Sequence, residues 1–167
     1  MKRMMKQLAV CAVMTLVCVC AHAQSKTFSK LSKMKGVEYV HVDKTMLQLA
    51  AEKGEGLPIG GGGTFDFGNA AGEIIKLIDD VMVFHSEEKE TVAKLKKSAQ
   101  KLLKGKQWQT LLDMNGEDGE SVKICQAKEG DKYVNVVLAG EDDDMQLIVI
   151  NGALNFAELL KQQAGSN

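Results

Sequence analysis

Hydrophobic and polar positions along this chain switch between two periods, and the switches outline its elements. The clearest stretch is 131–161. Two β-rich runs, 133–139 and 145–150, flank the polar segment Gly140-Glu141-Asp142-Asp143-Asp144. β-Branched runs bounded by turn residues predict the two strands of a hairpin. Leu147-Ile148-Val149-Ile150 has no polar alternation, which predicts an inner strand covered on both faces. Beyond it, Asn155 and Glu158 stand at Ncap and N3 spacing, with Leu154 and Leu159 at staple positions, so a helix is expected to start there.

The same reading carries through the rest of the chain. Phe28, Leu31 and Met34 recur every three residues before Gly36, predicting a short amphipathic helix over 25–35. A strand over 37–42 follows, and Asp43 is placed to cap a helix with Met46, Leu47, Leu49 and Ala50 apolar. Ile74, Ile75, Leu77 and Ile78 predict a helix over 70–78, and 81–84 a short buried strand. The most regular helix is expected over 87–104. Glu87, Glu88 and Glu90 open it and lysines dominate its second half, as the helix dipole favours. Its apolar stripe is Val92, Leu95, Ala99, Leu102 and Leu103. Strands over 107–114 and 121–128 then precede the hairpin. Helices early and clustered strands late predict an α+β two-layer domain, a four-stranded C-terminal β-meander packed by amphipathic helices.

One stretch breaks the pattern. Residues 53–68 hold four consecutive glycines and Pro58, the only proline, which predicts a long mobile loop within an otherwise single domain over 24–167. Gly60, Gly63, Phe65 and Phe67 are its candidate ligand or interaction residues.

Composition sets the surroundings. Lys2, Arg3 and Lys6 precede an apolar run over 8–20 and the small–x–small triplet Ala21-His22-Ala23. This is the pattern of a cleaved signal peptide over 1–23. Its 13 apolar-region positions fall short of the roughly 20 that a membrane span needs. Val17 and Val19 precede Cys18 and Cys20, where a lipoprotein requires a small residue, so no lipid anchor is expected. Cleavage leaves 18 basic and 22 acidic side chains, a net charge of −4, and one cysteine, Cys125. Such a chain forms no internal disulfide and has no electrostatic basis for binding nucleic acid. No later segment is apolar enough to span a membrane, and export to the periplasm or outer surface is expected.

Candidate chemistry is sparse. Cys125 could serve as a nucleophile only beside His41 or His85, and no thiol-enzyme signature surrounds it. Two histidines more than forty positions apart, with no second thiol, make no zinc motif. Asp113, Asn115 and Glu117 imitate the start of a calcium loop, but Asp118 stands where glycine is needed and Ile124 where glutamate is. Glycines 60–63 lack the Lys-Ser/Thr of a phosphate loop. No catalytic residue, cofactor or metal site is assigned.

The residues resemble the family named domain of unknown function 4252. The resemblance rests on Phe28-x-x-Leu31, Lys35-Gly36-Val37-x-x-Val40 and Lys44-x-Met46-Leu47. It closes on Leu147-Ile148-Val149-Ile150-Asn151-Gly152-x-Leu154-Asn155-Phe156-x-x-Leu159. It implies a small exported protein of Gram-negative gut-type bacteria, often encoded near sigma/anti-sigma regulators, and it carries over no catalytic residues. The expectation from residues and resemblance together is a non-catalytic envelope protein that recognises an unknown protein partner. The alternative is a periplasmic small-molecule or peptide carrier with loop 53–68 as lid, and a more remote one is a hydrolase using Cys125.

Overall fold

The structure, a computed structural model, describes residues 27–53, 57–59, 63–65, 71–116 and 119–164. In chain order these form a 3-10 turn (Leu31–Lys33), strand β1 (Glu38–Asp43), helix α1 (Lys44–Lys53) and strands β2 (Leu57–Ile59) and β3 (Gly63–Phe65). Helix α2 (Ala71–Lys76), strand β4 (Ile78–Ser86) and helix α3 (Lys89–Leu102) follow. Strands β5 (Trp108–Asn115), β6 (Ser121–Glu129), β7 (Lys132–Gly140) and β8 (Met145–Gly152) then lead to helix α4 (Phe156–Ala164).

The α+β class holds, with two corrections. Strands β5 to β8 are the expected meander, but β4 pairs antiparallel with β8, and β1 with β4. The main sheet therefore has six strands, in the order β1-β4-β8-β7-β6-β5. Nor is it two-layered, because helices lie on both faces. Alternate residues of a strand point to opposite faces, and on the central strands both sets are apolar. Met82, Phe84, Leu147, Val149, Val136 and Cys125 join Val92, Leu95 and Ala99 of α3, together with Phe28 and Leu31. Val81, Val83, Ile148 and Ile150 join Leu47 of α1 and Ile75 of α2 on the other face, with Phe156 and Leu159 of α4 packed alongside. Residues 147–150 are all buried, as the unbroken apolar run predicted.

Local chemistry explains where elements start and stop. The Asp43 carboxylate accepts from the Met46 amide at 2.9 Å, capping α1 as expected. Of the helix predicted over 25–35, residues 25 and 26 lie outside the described residues; Thr27–Ser29 are helical, Lys30 turns, the 3-10 turn ends at Lys33, and Gly36 takes a left-handed φ of 83°. The short strand expected over 81–84 is nine residues long and begins at Ile78. Gly152 lies against that start, where a Cβ would collide with the Leu77 carbonyl oxygen. Asn155 does not act as the side-chain cap predicted. Its amide donates to the Tyr133 hydroxyl at 3.2 Å instead.

Part of stretch 53–68 forms a ladder rather than an irregular loop: Leu57 pairs with Phe65 and Ile59 with Gly63.

Candidate functional site

Of the four loop candidates, Gly63 and Phe65 lie in the β2–β3 ladder, while Gly60 and Phe67 lie outside the described residues. The register shows where Cys125 lies relative to the two histidines. It faces α3 on β6 with 1% of its surface exposed. His85 lies on β4, three strands away and on the opposite face. At about 4.8 Å per strand that is about 14 Å of lateral separation. His41 shares the face of Cys125 but sits on β1, a strand further still. Neither imidazole reaches the thiol, so the fold does not bring this Cys/His pair together.

Each histidine instead meets carboxylates. His85 is buried in β4, with Nε2 3.0 Å from Asp144 Oδ1 and 4.0 Å from Glu87 Oε1. Its Nδ1 has no hydrogen-bond partner and lies 3.5 Å from Glu38 Oε2. Near the other end of the same strands, on the α3 face, Asp80 accepts from the Asn151 amide at 2.8 Å. Its Oδ1 lies 3.6 Å from His41 Nε2. Tyr39 stacks on His41 and tilts against Phe84. Burial, then the Asp80 charge, pushes the Tyr39 phenol above its ordinary range. A hydrogen bond from Lys132, supported by Lys44, holds the Asp79 carboxyl below the usual carboxylate range. These groups tie strands and helices together. Among the described residues no three His, Cys, Asp or Glu side chains are grouped to hold a metal ion.

The feature that sequence reasoning missed is a patch of sheet. On the face carrying α1, α2 and α4, the buried cluster runs across β1, β4 and β8. Two rows of side chains continue beyond it. Val40, Val83, Ile148, Val137, Ile124 and Leu112 form the inner row. Val83 and Ile148 are buried, but Val137, Ile124 and Leu112 are only partly covered. The outer row runs Glu38, His85, Gln146, Ala139, Val122 and Met114. Met114 at its end is 56% exposed. Val137 still packs against the covered cluster, and beyond it Leu112, Val122, Ile124 and Ala139 are half-buried and Met114 exposed, a partly open apolar platform across β7, β6 and β5. Its outer row ends, on the β1 side, in the carboxylates around His85. The exposed turn Glu141–Asp144, closed by a 2.7 Å bond from the Glu141 amide to the Asp144 carbonyl, borders it, as does Glu120.

Strand periodicity alone carries no trace of this platform. Val122 and Ile124 alternate with Lys123 and Cys125, and nothing local says which side the helices cover.

The fold and platform define a class: a six-stranded antiparallel α+β domain with helices on both faces and one corner of the sheet only partly covered by the described residues. The chain belongs to the family described as Domain of unknown function (DUF4252), whose model matches residues 28–161. No curated protein matches it. Among the described residues no helix is long and apolar enough to cross a membrane.

Proposed function

We propose that this protein is an exported, non-catalytic accessory protein of the bacterial cell envelope that binds another protein through the open corner of its sheet. The platform of Leu112, Met114, Val122, Ile124, Val137 and Ala139 carries the reading. A contiguous apolar surface rimmed by polar groups is how soluble domains present an interaction site. Export is supported by the basic, apolar and small-residue pattern of 1–23. The non-catalytic part is supported by Cys125 lying in the core, far from either imidazole, and by histidines engaged with structural carboxylates.

The test is a photo-crosslinking residue placed at position 114 in living cells, with position 100 on the solvent side of α3 as control. A discrete envelope adduct from 114 and none from 100 is expected. Equal adducts from both positions, or none from 114, would sink the proposal.

A further inference from the structure

We propose that the partner segment seated on this platform is a short amphipathic α-helix whose basic side chains lie over the acidic turns. This rests on the open corner being the binding site and adds the chemistry of what fills it. The first argument is architectural. The neighbouring half of the same face is already covered by α1, α2 and α4, so a helix across β7, β6 and β5 would continue an existing layer. The outer two of these three strands lie about 10 Å apart, the length of about two helical turns. An added strand fits less well, because β5, the edge strand beside the platform, is interrupted between Thr110 and Leu112. A bulge there breaks the regular row of amides and carbonyls that an incoming strand needs.

The second argument is charge. The platform is apolar, but carboxylates gather at one end: Glu120 beside β6, Glu141, Asp142 and Asp143 in the β7–β8 turn, and Asp144, Glu38 and Glu87 around His85. A helix with Lys or Arg on that flank meets complementary charge, and one with Glu or Asp there is repelled. An anionic lipid surface is repelled for the same reason. A second copy docked by the same patch would present carboxylates rather than lysines from its own rim.

The experiment uses the full chain, isotope-labelled, and two synthetic 14-residue helical peptides with the same leucine stripe. One has Lys at the polar positions and the other Glu. The Lys peptide is expected to bind and to shift the amides of 112–114, 122–124 and 137–139. Met114→Glu, at an exposed position that folding tolerates, should weaken it about tenfold, the loss of one well-placed contact. The double change Asp142→Lys and Asp143→Lys should weaken the Lys peptide and favour the Glu peptide. Equal binding of both peptides, amide shifts centred elsewhere, or indifference to Met114→Glu would each overturn the proposal. So would binding to anionic vesicles in place of the Lys peptide. If neither peptide binds while a crosslinker at 114 still traps an envelope partner, the basic helix is wrong and the interaction reading stands.

Discussion

Asn135 has no exposed surface, yet it lies on β7 among apolar neighbours. Its carbonyl oxygen accepts from Gln126 at 2.8 Å and its amide donates to the Leu154 carbonyl at 2.8 Å. That pair of bonds ties the start of α4 to the middle of the sheet. Asn135→Ala strands two buried groups, so a loss of about 1–3 kcal/mol is expected in urea unfolding. Glu129 gives a different kind of test. One of its carboxylate oxygens is buried without a hydrogen-bond partner, and burial pushes its pKa up. The folded chain therefore holds that proton more tightly than the unfolded chain. Its stabilising contribution is complete below the unfolded value of about 4.3 and is lost as pH rises through the higher folded value. Glu129→Gln should match the wild type in urea unfolding below about pH 4. At pH 7 it should unfold at higher urea than the wild type.

At the scale of elements, α3 is the part whose sequence speaks most plainly. Leu95 is fully buried, at the centre of the stripe that its periodicity predicts. Leu95→Ala removes about 2–5 kcal/mol in the usual range for core truncations, measured by the shift in urea midpoint. The hairpin β7–β8 and the capping role of Asp43 were equally legible, because each rests on neighbours in sequence. What the sequence did not disclose was long-range. Nothing local says that Val81 meets Ile150 or that Tyr39 meets Phe84, and so four expected meander strands proved to be six in one sheet. The cap at Asn155 failed for a long-range reason too: its amide nitrogen donates to Tyr133 on another strand, and its Oδ1, the atom a cap would use, accepts no bond. The open corner is likewise invisible to periodicity, which marks a strand face as apolar without saying whether a helix lies over it.

For the whole molecule, the order β1-β4-β8-β7-β6-β5 ranks the strands by protection. β8 has partners on both edges and its residues 147–150 are buried. Among the described residues β1 and β5 are the edge strands, and β5 carries a bulge besides. Native-state hydrogen exchange should therefore be slowest in β8 and its neighbours β4 and β7, and faster in β1 and β5. Uniform protection across all six strands would contradict this architecture. The partly open corner falls on the less protected side, where a helix bound as proposed would slow exchange in β5 and β6.

Because β8 joins β4 to the meander, the β1–β4 pair and strands β5 to β7 have no common sheet until Gly152 has been made. While the ribosome is still at work on the earlier strands, β1 and β4 lack their bridge, and the nascent polypeptide cannot close into its native form. Until then it holds two separate pieces of sheet, with the edges of β4 and β7 that β8 will join still unpaired.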